Sequence, residues 1–310
     1  MSIKIIYKDR DIKKFIFKLI SQNKFLNIKV EREVEKIFQN IQAKGDKALF
    51  NYAKKFDGCK LNEKNIVINK NKIKVFAKKC PKDITNALFF SASRIKKFHL
   101  HQIPKNYKYK DNKGVILGSQ WKPINSIGVY VPGGTASYPS SILMSSIPAK
   151  IAGVKKIVMV IPQKNTKLNP IIAKAAEIAD IDMIYRVGGA HSIAALAWGT
   201  KSIEAVDKIV GPGNIYVTTA KKKIFGDVGI DMIAGPSEIL VVSDKNNNPD
   251  WIAADLLSQA EHDVNSRSIL LTDDFLFAKK VIKSIDLILK KLPRSKIASK
   301  SWENNGKIII

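Results

Sequence analysis

Gln259 and His262 stand three residues apart in Asp255-Leu-Leu-Ser-Gln-Ala-Glu-His-Asp263, at the end of an amphipathic segment. On a helix that spacing sends an amide oxygen and an imidazole nitrogen out of the same face. Two readings fit the pair. It can be half of a metal site with mixed N and O donors, or a polar helix end with a His near the negative pole of the dipole. No other pair in the 310 residues offers a comparable convergence.

A second set of candidates gathers around glycine. Val131-Pro-Gly-Gly134, Val187-Gly-Gly-Ala-His191, Val210-Gly-Pro-Gly-Asn214 and Ala234-Gly-Pro-Ser-Glu238 lie at the ends of strand-like segments. The carboxyl ends of strands are where α/β proteins hold their ligands. Three of these turns lead into helices, where free N–H groups and the positive dipole end favour an anion such as pyrophosphate. None is GxGxxG or GxxxxGK[ST], so the number and placement of the turns carry the indication of a nucleotide or phosphorylated ligand. Tyr130 precedes the first turn, Asn214 ends the third, and Ser237 with Glu238 lies in the fourth. Each also has a reading as local turn chemistry. His191 sits at a helix start, where a neutral ring can bond a ligand and a protonated one opposes the dipole.

Alternating elements must position these residues. The first thirty residues carry apolar positions at helical spacing (Ile12, Phe15, Ile16, Leu19, Ile20), then turn signals at Asn23 and Asn27. A second helix is expected over 30–42, and a third over 47–56 that stops at Asp57-Gly58. A short strand and Lys-laden helices follow to residue 100, where exposed His99 and His101 lack acidic or Cys neighbours. From about residue 121 strands and helices alternate strictly up to the Gln259/His262 segment, which predicts an α/β fold with mostly parallel sheets. The final run, Gly306-Lys-Ile-Ile-Ile310, reads as an exposed, half-made strand, a hazard that complete domains avoid. The expectation is a truncated sequence.

The net charge of +26 raises nucleic acid as a partner. Residues 1–123 hold 30 basic against 10 acidic residues, and only six basic residues in the chain are Arg. Readers of base edges favour Arg, and single-strand binders interleave aromatic platforms. Neither pattern is present, so the charge reads as a Lys-rich solvated surface and no specific nucleic-acid partner is expected. No apolar run reaches the roughly 18 residues of a membrane span, and no membrane partner is expected. Cys59 and Cys80 form no CxxC pair, which fits a reducing cytoplasm.

Taken in order, Gly45-Asp-Lys-Ala-Leu, Tyr52, Phe56-Asp-Gly58, Gly128-Val-Tyr-Val-Pro-Gly-Gly134, Tyr138-Pro-Ser-Ser-Ile-Leu-Met144, Gly188-Gly-Ala, Val210-Gly-Pro-Gly-Asn214, Asp231-Met-Ile-Ala-Gly-Pro-Ser-Glu238 and Ala254-Asp-Leu-Leu-Ser-Gln-Ala-Glu-His262 resemble histidinol dehydrogenases. The resemblance runs from about residue 30 to 310. It implies two incomplete Rossmann-like domains with a helical N-terminal segment: 1–25 as that segment, 26–127 plus 238–310 as one domain, and 128–237 as a second inserted in it. It further implies a cytoplasmic homodimer with exchanged elements, using NAD and zinc to oxidise L-histidinol through the aldehyde to L-histidine.

Position by position, the resemblance makes Gln259 and His262 two of four zinc ligands and contacts to the substrate. Ser237 becomes a further substrate contact, and Tyr130, His191 and Asn214 become NAD contacts. His191 stands where the family usually has Gln. The acid/base Glu-His pair and the other two zinc ligands are expected beyond Ile310, so none of the catalytic residues is expected within 1–310. Little activity is expected of this chain alone. The alternatives are a zinc- and NAD-dependent dehydrogenase of another polyol or amino alcohol, and a basic nucleic-acid-binding protein.

Overall fold

The computed structural model describes residues 5–133, 138–163, 168–233 and 237–310, leaving aside the side chains of residues 18 and 21–27. Strand β1 (Ile5–Ile6) leads into α1 (Asp9–Lys44), α2 (Asp46–Tyr52) and a π-helical turn over Ala53–Asp57. Then come β2 (Val67–Asn69), α3 (Lys70–Ala77), α4 (Lys82–Leu100) and a hairpin of β3 (Tyr107–Lys110) and β4 (Ile116–Ser119). The alternating region holds β5 (Ser126–Tyr130), α5 (Pro139–Ala152), β6 (Lys156–Val160), α6 (Pro170–Ile178), β7 (Met183–Tyr185) and α7 (Gly189–Trp198). It continues with β8 (Lys208–Val210), α8 (Ile215–Ile224), β9 (Gly229–Ile230), β10 (Glu238–Val242) and α9 (Pro249–Ala260). The chain closes with β11 (Arg267–Leu271), α10 (Phe275–Leu289), α11 (Ser295–Asn305) and β12 (Lys307–Ile309).

Two compact units form, residues 1–26 with 235–310 and residues 27–234. The second is built on a sheet in the order β2-β7-β6-β5-β8-β9. Strands β5 to β9 are parallel, and β2 pairs antiparallel with β7 at one edge. Side chains along the central strands alternate between two cores. Ile127, Val129, Ile157 and Met159 pack with α3 to α6, while Tyr130, Val158 and Val160 pack with α1, α2, α7 and α8. Burial on both faces explains why these strands read as nearly continuous apolar runs. At their amino ends, Asp182 accepts from Ile157 N–H at 2.8 Å and Asp207 from Ser126 N–H at 2.8 Å. The carboxyl ends are left to the glycine turns.

The other unit carries a fully parallel sheet, β1-β12-β11-β10. Helices α9, α10 and α11 cover it with a core that includes Leu256, Phe277, Val281, Ile285 and fully buried Trp302. Asn248 caps α9 by accepting from Asp250 N–H, as Asn169 caps α6.

Three sequence expectations change. The turn signals at Asn23 and Asn27 do not break the chain: α1 runs through them without interruption. No Gly or Pro lies within it, and a mid-helix Asn costs only about 0.7 kcal/mol relative to Ala. Residues 27–127, expected with 238–310, lie instead with 128–234. The physical reason is that β2 joins the β5–β9 sheet and α1 to α4 supply both of its cores. Finally, the run 306–310 is no exposed edge, because β12 pairs with β11 on one side and β1 on the other, burying Ile308 completely. Its second partner comes from the far end of the sequence, out of reach of any local pattern.

Candidate functional site

The order of the six-stranded sheet creates a crevice. From β5 the chain builds outward through β6 and β7, then crosses back to lay β8 and β9 on the other side. In such sheets ligands bind outside the carboxyl ends of the strands at this reversal, here between β5 and β8. Tyr130 ends β5 and Gly211 follows β8. Gly211 has φ +113°, and a Cβ there would fall 2.2 Å from the Tyr130 carbonyl oxygen. Glycine is what lets the two turns abut. On the β6 and β7 side, a Cβ on Gly133 would meet Pro162 Cγ at 2.2 Å, and one on Gly188 would meet the same ring at 2.6 Å.

Two backbone donors of the turn after β7 find partners within the protein. Gly188 N–H donates to Asp57 Oδ2 at 3.2 Å, and Gly189 N–H to the Tyr130 hydroxyl at 3.4 Å. The anion at the start of α7 is therefore the protein's own carboxylate, a favourable partner for the positive end of a helix. These two N–H groups are therefore bonded within the protein. His191 is buried in the first turn of α7 with Nε2 3.3 Å from Asp57 Oδ2. Its ring lies 5.9 Å from that of Tyr52 and 6.1 Å from that of Phe56. Its Nδ1 has no hydrogen-bond partner among the described residues. Tyr130 is buried too, which pushes its hydroxyl up to about 12; the Gly189 N–H works against the shift and the Asp57 charge adds to it. At neutral pH the hydroxyl keeps its proton and has it to donate.

The turn after β8 is closed in the same way. The side-chain oxygen of Asn214 accepts from Tyr216 N–H at 3.1 Å and Val217 N–H at 3.2 Å, capping α8. Only the amide N–H groups of Asn214 are then left for a ligand. Buried Lys221 donates to the Gly211 carbonyl at 3.0 Å and pairs with Asp231. Asp231 in turn accepts from Gly211 N–H and Met232 N–H, each at 2.7 Å. The Gly211 N–H is thus also bonded to a protein carboxylate. Gly134, and residues 234–236 of the fourth turn, lie outside the described residues.

Sequence reasoning gave no role to Asp57, Lys221 or Asp231. Asp57 ends a helical segment before Gly58, whose φ of 65° stops it, but no pattern announces that a π-helical turn aims the carboxylate at α7. A lone Lys among three on α8 likewise carries no sign that it is the buried one. Burial pushes the Cys59 thiol up, against the pull of Arg186, so it is no activated nucleophile.

In the other unit, Ser237 is exposed just before β10. Gln259 is half-buried in the last turn of α9, whereas His262 is exposed past the helix end, its N–H bonded to the Gln259 carbonyl at 3.2 Å. Among the described residues no group of three or more His, Cys, Asp or Glu could hold a metal ion. Two donors do not fit a tetrahedral zinc ion by themselves.

Comparison with known proteins agrees with this architecture. The histidinol dehydrogenase family model matches residues 21–310. The histidinol dehydrogenase of Rhizobium meliloti (strain 1021) is 46% identical over 310 residues, covering 100% of this chain and 71% of the relative. That of Brucella abortus (strain 2308) is 48% identical over 302 residues, covering 97% and 70%. The crystal structure of histidinol dehydrogenase from Elizabethkingia anophelis superposes with a TM-score of 0.79 at 39% identity, over 91% of this chain and 65% of that one. The chain thus spans about 70% of the length of these curated relatives, and it belongs to the histidinol dehydrogenases, NAD-dependent oxidoreductases that act on a CH–OH group.

Proposed function

We propose that this chain carries the dinucleotide-binding part of an enzyme that oxidises L-histidinol through L-histidinaldehyde to L-histidine. The crevice between β5 and β8 carries the reading, because Tyr130, the abutting glycine turns and a buried imidazole with an unpartnered nitrogen meet at its rim. NAD bound there would accept the hydride in each oxidation. Tyr130 offers a hydroxyl that stays protonated to about pH 12, His191 offers Nδ1, and Asn214 offers amide N–H groups. The internally closed turns hold these groups rigidly, and a fixed pose is the chief thing a hydride transfer asks of the protein. The pyrophosphate does not rest on the Gly188 or Gly211 N–H groups, which protein carboxylates occupy.

Ser237, Gln259 and His262 are proposed for the substrate, and the last two for zinc, on the resemblance of the 254–262 segment. Zinc would polarise and anchor the substrate, but two donors do not complete its coordination, and the NAD reading does not depend on them. Homodimer formation and a cytoplasmic location belong to the same proposal. Light scattering should give twice the 34.5 kDa chain mass.

Calorimetric titration of the purified chain with NAD tests the reading, with one saturable site expected and Tyr130→Phe and His191→Ala each weakening it. Absence of NAD binding by the folded chain overturns it. For the substrate, NADH absorbance is followed in the zinc-supplied protein. Turnover of another amino alcohol with L-histidinol ignored would replace the substrate assignment.

A further inference from the structure

Asp57 touches two groups of the candidate site, the Gly188 N–H and His191 Nε2, through the same oxygen, Oδ2. An oxygen already serving as acceptor for one N–H is matched at the imidazole by a second N–H, not by a lone pair. A neutral ring that carries its proton on Nε2 has a lone pair on Nδ1. That nitrogen is buried and unpartnered among the described residues, and buried polar atoms are rarely left so without a functional reason. Its surroundings keep it open. A Cβ on Gly189 would sit 3.1 Å from Nδ1, and Gly189 has φ +60°, where side chains are disfavoured. The rings of Tyr52, at the end of α2, and Phe56, in the π-helical turn that ends in Asp57, pack beside the imidazole.

We propose that Asp57 is a positioning residue of the dinucleotide site: it fixes His191 as the Nε2–H tautomer, so that Nδ1 accepts a hydrogen bond from a ribose hydroxyl or the carboxamide N–H of the dinucleotide. The proposal rests on the NAD reading above. It makes His191 a reader of donors, and it excludes a phosphate oxygen, which has no proton to give, as the partner of Nδ1. A protonated ring with N–H groups on both sides would do the opposite.

The test begins without any variant. With only four histidines in the chain, selective 15N-histidine labelling resolves each ring, and His191→Gln assigns the resonance of interest. Two-bond 1H–15N correlation at neutral pH should show Nε2 protonated and Nδ1 bare, with the Nδ1 resonance moving when NAD is added. Asp57→Ala then removes the one acceptor that Gly188 N–H and His191 Nε2 share, so nothing holds the proton on Nε2. The expected result is loss of the single Nε2–H tautomer and NAD binding weakened about tenfold, the loss of one well-placed hydrogen bond. In the His191→Gln background, where no tautomer exists, the same substitution should weaken NAD binding far less.

An Nδ1–H tautomer or an imidazolium in the unmodified protein overturns the proposal. So does Asp57→Ala with unchanged or tighter NAD binding, the outcome expected if the carboxylate only repelled the pyrophosphate. An Nε2–H tautomer in a protein that does not bind NAD sinks the cofactor reading, and the ligand of Nδ1 with it. NAD binding that is normal and indifferent to Asp57 sinks this inference alone.

Discussion

Gly211 lies against Tyr130 so closely that a Cβ on it would come within 2.2 Å of the Tyr130 carbonyl oxygen and 3.1 Å of its carbonyl carbon. The obstacle is backbone in a central strand, which cannot swing aside, and the φ of +113° is itself unfavourable for any side chain. Gly211→Ala should therefore destabilise the protein by about 3 kcal/mol or more. Urea unfolding measures it, and a loss within about 0.5 kcal/mol, the range of ordinary surface changes, would show that the two turns do not abut.

Lys221 and Asp231 close the same turn from the other side. Lys221 is only 4% exposed, whereas the Asp231 side chain is 31% exposed. Removing either partner is not equivalent. Asp231→Ala strands a buried ammonium on one carbonyl, a loss of about 3–5 kcal/mol by the usual cost of breaking a buried pair. Lys221→Met removes the buried charge, and the carboxylate it leaves keeps two N–H donors and access to water. It should cost distinctly less. Equal losses in denaturant titrations would contradict the burial of Lys221.

The alternating half of the chain was legible because its central strands β5 and β6 are buried on both faces and several of its helices start at a side-chain cap. Asn169, Asn214 and Asn248 all cap helices through their side-chain oxygens. The strand expected over 208–210 is β8 to the residue. The β3/β4 hairpin went unread: Tyr107-Lys-Tyr-Lys110 does alternate, but Ile116-Leu-Gly-Ser119 does not, and with Tyr107, Tyr109, Ile116 and Leu117 all exposed no core face ties the two together. At the site, Tyr130 and Asn214 were visible from their places beside glycine turns. The contacts that organise them were not. Asp57 lies 134 positions from His191 and 131 from Gly188, and nothing local in either segment specifies such a contact. The pair Gln259 and His262 was read on one helix face, but α9 ends at Ala260, so His262 leaves from the turn beyond it.

Tyr130 gives the stability of the fold a pH dependence of known sign. Its hydroxyl is raised from an ordinary 10.0 to about 12, chiefly by burial. The unfolded chain therefore ionises first. The contribution is fully present below pH 10, declines as the unfolded side chain deprotonates, and is lost by about pH 12. The total is about 3 kcal/mol. Tyr130→Phe lacks the ionisation, so the difference between the two unfolding free energies should shrink across pH 10 to 12. A constant difference over that window would mean that Tyr130 is open to water.

Pro162 offers a test of the turn geometry that separates two glycines. A Cβ on Gly133 would meet Pro162 Cγ at 2.2 Å but Cβ and Cδ only at 3.2 Å. A Cβ on Gly188 would meet all three ring carbons, Cβ and Cγ at 2.6 Å and Cδ at 2.7 Å. A proline ring is tied to its own backbone and cannot rotate out of the way, so Gly133→Ala and Gly188→Ala should each cost about 1–3 kcal/mol by overpacking. Pro162→Ala deletes Cγ and Cδ and keeps Cβ. It should then recover much of the Gly133→Ala loss, with a coupling on the order of 1–2 kcal/mol, because the remaining contact at 3.2 Å needs only a small adjustment. For Gly188→Ala it should recover little, since the Cβ contact at 2.6 Å survives. Unfolding free energies of the two single glycine variants, Pro162→Ala and the two double variants give both coupling energies. Equal rescue of both glycines, or rescue of Gly188→Ala alone, would show that the ends of β5, β6 and β7 do not converge on Pro162 in this way.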